Sequence, residues 1–301
     1  PDPVPIETLI DWLYSGVDQL SSDCKADTLA PETCSDEQNT IDLCDQIRAM
    51  PLSSLDYQTP AGRLEQLIHM RAICFIKGSW LRERALLGKK IPRRQEMPMA
   101  AFWEPHELLK RWKSSQRKTE QSLVTERELS MGALALFPIA ISYCWCSKDH
   151  PDPDPECFHL LRIAQIIEGF QKLSRMEKGW DDFAFFWDYM SLFQKPRTPL
   201  EDALFRLALD NMQLVYGHQL VWVWKFRAMP PCLDENGKFR PLDENGKFQL
   251  ADGKCIGYTY GSRGWPTFES TTADASRGVA FSRLAFDEDI SMQGLSLKEV
   301  Y

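Results

Sequence analysis

The apolar positions follow two regimes, and the change comes near residue 130. Before it, they recur three and four residues apart. Ile6, Leu9, Ile10, Leu13, Val17 and Leu20 form one stripe, and Leu64, Leu67, Ile68, Ala72 and Phe75 form another. That spacing predicts amphipathic helices. Pro5 suits a first helical turn, and Ser35 with Gln38 makes a capping-box pattern ahead of Ile41, Cys44 and Ile47. Thr59-Pro60 opens a helix that the pattern carries to Leu87, with Gly88 as its stop and Gly78 as a point of interruption. Residues 89–99 are basic and contain Pro92 and Pro98, which predicts a loop. Glu104 to Lys118 reads as a short basic helix with Leu108, Leu109 and Trp112 on one face.

After residue 130 the apolar residues come in runs. Leu134 to Trp145 predicts a strand buried on both faces. Cys157 to Leu173 returns to helical spacing. Phe183 to Tyr189 predicts a second, aromatic strand ending on Asp188. Thr198-Pro199 opens a helix through Leu204, Leu207, Ala208, Met212 and Val215, and Leu220 to Phe226 predicts a third strand. Strand, helix, strand, helix, strand predicts an α/β layer on a parallel sheet. Leu233-Asp-Glu-Asn-Gly-Lys-Phe239 then recurs as Leu242-Asp-Glu-Asn-Gly-Lys-Phe248. Its Asn-Gly pairs are hairpin-turn signals, so residues near 230–256 read as a hairpin insertion. The expected organisation is an all-helical region over 1–130 and an α/β domain over 131–301.

Composition narrows the function classes. The 301 residues carry 35 Lys+Arg against 43 Asp+Glu, a net charge of -8, and are 44% hydrophobic. This is an ordinary globular balance and excludes collagen, rods and wholly disordered chains. The acidic total argues against broad nucleic-acid binding. The charge is uneven: residues 1–47 hold eleven acids and one Lys, whereas residues 77–127 hold thirteen Lys and Arg. These read as two solvated helical surfaces that attract each other, with a partner-binding surface on the N-terminal helices as the alternative. Nine cysteines, an odd number in a long chain, do not suggest a secreted disulfide framework, so a reducing, cytoplasmic compartment is expected. No apolar run reaches the ~20 residues that span a bilayer. Cys144-x-Cys146, Cys157-x-His159 and His150 match common zinc spacing poorly, so no metal is expected. There is no Gly-rich phosphate loop and no Gly-x-Ser-x-Gly.

Four segments, in order, resemble heterokaryon-incompatibility (HET) domains. Ala140-Ile-Ser-Tyr-Cys-Trp145 is similar to their first strand. Phe186-Trp-Asp-Tyr-Met-Ser-Leu-Phe-Gln194 resembles their second strand, an apolar run ending in Asp with a following Gln. Asp210-Asn-Met-Gln-Leu-Val-Tyr216 resembles their Met-x-x-x-Tyr helix, and Ser262-Arg-Gly-Trp-Pro-Thr-Phe-Glu269 their Arg-Gly-Trp-x-x-x-Glu motif. The likeness covers roughly residues 134–280. It departs from the family at Cys146, where a Gly is usual, and in lacking the Cys-Ile-Asn-Gln ending of the second motif.

HET domains in turn resemble Toll/interleukin-receptor (TIR) domains. The resemblance implies a flavodoxin-like parallel sheet and, as in some TIR domains, cleavage of NAD at the nicotinamide–ribose bond. It implies a catalytic role for Glu269, four residues after Trp265. It implies self-association, and NAD as substrate rather than as a resident cofactor. A carboxylate stabilises the oxocarbenium-like charge that develops when such a bond breaks. Ligands of open α/β sheets sit beyond the carboxyl ends of the strands. On this view Ser142 and Trp145, Asp188, and Arg263 with Trp265 line the site around Glu269.

Each residue also has a structural reading. Glu269 suits a helix N-terminus, Trp265 a core, Asp188 a turn cap and Ser142 a local backbone bond. Arg263 suits either a phosphate or an acid such as Glu269. Two function classes therefore stay open: an NAD-directed signalling domain in stress, immunity or cell death, and a catalytically silent interaction module or subunit of a larger assembly.

Overall fold

The computed structural model describes residues 43–59, 61–121, 136, 138–145, 150–152, 157–177, 182–227, 248–249, 255–256, 264–275 and 283–286. The stripe at residues 6–20, the Ser35/Gln38 pattern, Cys146, the Asn-Gly repeats and Arg263 lie outside them.

A five-stranded mixed sheet organises the fold. Its strands are β1 (Ile76–Lys77), β2 (Pro138–Tyr143), β3 (Ala184–Phe186), β4 (Trp222–Phe226) and β7 (Arg283–Phe286), in the spatial order β1-β3-β2-β4-β7. β3, β2, β4 and β7 are mutually parallel, and β1 runs antiparallel to β3 at the edge. A separate antiparallel pair joins β5 (Phe248–Gln249) to β6 (Cys255–Ile256), within the stretch expected to form a hairpin insertion.

The helices are α1 (Gly62–His69), α2 (Gly78–Leu86), α3 (Pro105–Gln121), α4 (Phe158–Glu177), the four-residue α5 (Asp188–Ser191), α6 (Pro199–Leu209), α7 (Gln213–Tyr216) and α8 (Gly264–Ala275). Residues 43–49 are helical as well.

β2 is buried at every position, as befits a central parallel strand. Its alternation sends Ile139, Ile141 and Tyr143 to one face and Ala140 to the other. The first face meets α2 and α4 through Leu81, Leu160, Ile163 and Ile167. The second face meets residues 43–49, α1, α3, α6, α7 and α8, with Leu67, Trp112, Leu204, Val215 and Ala273 in one cluster with Ala140, Phe186 and Val223. Small residues at Ala140 and Ser142 leave room on that face for helices to approach.

Two expectations are corrected. The helix carried from Thr59 to Leu87 is two helices with an edge strand between them, so the described part of the first 130 residues is not all helical. α1 ends at His69, Arg71 turns through φ 50°, and Ile76–Lys77 pairs with Phe185 and Ala184. Gly78 is where the chain leaves the strand: its N–H bonds Phe183 O at 3.0 Å, and a Cβ there would lie 3.0–3.1 Å from Asp182 and Phe183 atoms. Gly88 does terminate α2, at φ 60°. The N–H of Lys89 returns to Arg84 O and that of Gly88 to Ala85 O, which is the Schellman closure. The second correction concerns Asp188. Strand β3 stops at Phe186, and Asp188 opens α5, because Ser191 Oγ accepts the Trp187 N–H at 2.9 Å and turns the chain.

Other predicted starts hold. Thr198 and Glu201 form the capping box of α6, with Pro199 in its first turn. Glu104 accepts the Glu107 N–H at 2.8 Å at the head of α3.

Candidate functional site

Ser142 and Lys225 are register partners on neighbouring central strands, so both project to the same face of the sheet. Both are buried. They are the polar pegs on which α8 docks. Ser142 Oγ donates to Glu269 Oε2 at 2.5 Å. Lys225 Nζ donates to Ser270 Oγ at 2.7 Å and to Asp274 Oδ1 at 3.0 Å. Glu269 is only 1% exposed. The Tyr216 hydroxyl and the Trp265 indole also bond its carboxyl, and Tyr216 donates to Ile141 O at 3.1 Å. Trp265 and Glu269 are four apart on α8, which places them on one helix face.

The neighbouring carboxyl is Asp188. Its Oδ1 accepts the Tyr143 hydroxyl at 2.8 Å and the Tyr189 N–H at 2.7 Å, and Trp145 bonds the same carboxyl. Burial pushes Glu269 well above the usual carboxylate range, and the nearby Asp188 charge pushes it further; the bonds from Ser142, Tyr216 and Trp265 pull the other way without prevailing. Burial likewise raises Asp188 against its three donors. Tyr143 and Tyr216 are both held well above the ordinary phenol range, first by burial and then by the carboxyl each one touches. Burial disfavours the charged form of a carboxyl, and a carboxylate nearby adds to that effect.

Above this pair, at the carboxyl ends of the parallel strands, opens a cleft of about 440 Å³. Tyr143, Trp145, Asp188, Gln194, Phe205 and Trp265 contribute to its lining. Ser142 and Glu269 do not; they lie beneath it. The five predicted site residues that fall among the described positions thus converge on one sheet edge, in two layers. Trp145, Asp188 and Trp265 face the cleft, and Ser142 with Glu269 forms a covered layer behind Trp265. Ser142 bonds Glu269 rather than local backbone alone, and Asp188 takes a side chain from β2 as well as its own turn.

Four contributors escaped the sequence reading. Tyr143, Tyr216 and Gln194 were visible only as letters of motifs. Lys225 had a signal of its own, a lysine in the middle of the apolar run Trp-Val-Trp-Lys-Phe.

Behind Tyr143 sits His159, fully buried, with its ring edge-on to Tyr143 at 5.1 Å. Its Nε2–H donates to Cys144 O at 3.0 Å. Asp152 caps α4 by accepting the His159 and Leu160 N–H groups at 3.0 and 2.8 Å. Burial lowers the His159 pKa from 6.5 to about 4, against the pull of the Cys144 carbonyl. Between those two values the unfolded chain binds a proton that the folded chain does not. Stability therefore falls as pH falls through this window, by roughly 3 kcal/mol when complete. The raised carboxyls contribute a slope of opposite sign. The check is accordingly a comparison: His159→Gln is expected to lose less stability between pH 6.5 and 4 than the parent, in urea titrations at each pH. Equal acid sensitivity would contradict the assignment.

No protein family, no curated protein and no solved structure matches the chain.

Proposed function

We propose that the chain is a HET/TIR-like signalling domain that binds NAD-type nucleotides in the cleft and cleaves the nicotinamide–ribose bond, acting in a cytoplasmic stress, immunity or cell-death response. The observation that carries this reading is the position of Glu269: a carboxyl four residues after a cleft-lining Trp, directly behind the carboxyl edge of a parallel sheet. The strand order adds support. Numbered along the chain, the four parallel strands lie in the order 2-1-3-4, as in the flavodoxin-like arrangement, whose ligands occupy the crevice at the carboxyl ends of its strands.

The chemistry follows from the residues. The carbon–nitrogen bond breaks and its electron pair leaves with nicotinamide. Water adds to the ribose C1′ and loses a proton to solvent. An ionised Glu269 stabilises the ribosyl cation between those events, and Asp188, Trp145 and Trp265 hold the ring end. Glu269 must shed its proton and be uncovered by movement of Trp265 for this to happen, and self-association supplies the force for that movement.

The 1% exposure of Glu269 favours a second reading. In it the carboxyl is a structural anchor for α8, and the domain is a catalytically silent interaction module. One assay separates them. Protein at high concentration with NAD is expected to release nicotinamide, and Glu269→Gln is expected to reduce the rate by at least about a hundredfold, the scale of losing one transition-state electrostatic partner. No release from concentrated protein would leave the silent module.

A further inference from the structure

The basic stretch seen in the sequence divides in the fold. Some of its cations are engaged inside the protein: Arg94 is buried on the carbonyls of Ala72 and Ser191, and Arg93 holds Glu96 and Lys195 O. The turn that ends α2 is different. Leu86 and Leu87 are 74% and 58% exposed, the highest values of any large apolar side chain among the described residues, and they are adjacent. Lys89 and Lys90 follow them and are exposed. Arg82 and Arg84 precede them, and Glu83 is the one acid within residues 82–90. The turn is closed by its own bonds. Besides the Schellman closure at Gly88, Arg84 Nε donates to Lys90 O at 2.6 Å, while its guanidinium lies 5.3 Å from the Trp80 ring centre. Leu81 and Ala85 fix the inner face of α2 in the core. A Cβ added at Gly88 would meet nothing within 4 Å, so the tip stands clear of the fold around it.

Two adjacent leucines held in water by a closed turn forgo the gain that burial would bring. The charge around them indicates what covers them. The chain carries a net -8, so an anionic surface repels it except at a cationic projection. Size indicates which kind of anionic surface. A specific protein interface buries about 1,200–2,000 Å², far more than two leucines and a turn offer. A bilayer needs no matching groove: it accepts single apolar side chains at the headgroup boundary, and each nearby Lys or Arg adds its own attraction to anionic lipid. We infer that the Leu86–Lys90 turn is a docking tip for an anionic lipid surface. The two leucines enter the headgroup boundary, and Lys89 and Lys90 lie against the anionic headgroups. The contact is peripheral and reversible, because so small a wedge does not hold a protein permanently. It stands apart from the reading of the cleft.

The test is flotation of the whole chain with vesicles of phosphatidylcholine alone, or with about a third of phosphatidylserine. The anionic vesicles are expected to bind at least about tenfold better, and raising salt from about 0.1 to about 0.5 M should remove most of that gain. Leu86→Ser with Leu87→Ser is expected to weaken binding to anionic vesicles about tenfold. Lys89→Ala with Lys90→Ala should weaken it about thirtyfold, at roughly fivefold per cation. Neither pair touches the core, so both variants should keep the parent's urea midpoint. Leu55→Ser is the control: Leu55 is 47% exposed, and nearby Tyr57 packs on the other face of the sheet from α2, so this variant should bind as the parent does. Equal binding to the two kinds of vesicle, or an equal loss from Leu55→Ser, overturns the inference. So does binding that survives both pairs of substitutions, which would place the contact elsewhere on the chain.

Discussion

Trp112→Ala is expected to cost about 3–5 kcal/mol, the range for truncating a fully buried tryptophan, and to weaken the sheet and the helices that precede it together. Trp112 lies on α3 with no exposed surface. Its ring is edge-on to Phe75 at 6.1 Å, Phe75 in turn lies 6.1 Å from Phe186 of β3, and His218 lies 5.1 Å away on the other side. One side chain therefore bridges α3, the approach to β1, and the central sheet. Its indole N–H has no acceptor among the described residues. Trp112→Phe, which removes that buried donor and keeps part of the volume, should cost distinctly less. Urea unfolding followed by far-UV circular dichroism and by tryptophan fluorescence should give coincident transitions, shifted together in Trp112→Ala. Two separated transitions, only one of them moved, would mean that α3 does not share the sheet's core.

The second large effect concerns the ionisation of Glu269. Its folded pKa is raised, so the folded state holds a proton that the unfolded state releases. That difference favours folding at low pH and is lost as pH rises through the window between the two values. Glu269→Gln keeps a neutral group of the same shape and one carbonyl oxygen to accept from the Ser142 hydroxyl or the Trp265 indole. It should match the parent near pH 4 and melt progressively higher than the parent toward pH 9. Glu269→Ala should be less stable than Gln at every pH, by about 1–3 kcal/mol, because it strands those buried donors. Asp188→Asn should shrink the gap between Glu269→Gln and the parent, since the Asp188 charge is the second cause of the shift. A pH-independent gap would mean that Glu269 is ionised in the folded protein.

Much of this frame was legible as letters. The run Pro138–Tyr143 announced a two-faced buried strand, Thr198-Pro199 with Glu201 announced a helix start, and Gly88 announced a stop. β1 was not legible: two residues are too few to show alternation, and Ile76–Lys77 is set between helical stripes. Its pairing with β3 is a contact across more than a hundred residues that no local pattern encodes. The site divides in the same way. Residue types at strand ends suggested where Ser142, Trp145 and Asp188 would gather, and the Trp265–Glu269 spacing suggested one helix face. The layering was hidden, because it depends on Ser142 meeting Glu269 from 127 positions away and on Trp265 lying between that pair and the cleft. Asp188 was misplaced by two residues because the hydroxyl that ends β3 is supplied three residues further on, by Ser191.

The central claim is that a nucleotide occupies this cleft with its nicotinamide ribose above Glu269. Determining the structure of Glu269→Gln with NAD bound tests it most directly, because the variant keeps the shape of the site and leaves the substrate uncleaved. The account predicts the nicotinamide ring against Trp145 and Trp265, its charge facing Asp188, and Trp265 displaced so that residue 269 reaches the ribose. NAD bound elsewhere, or residue 269 still sealed beneath Trp265 with the cleft filled, would contradict it.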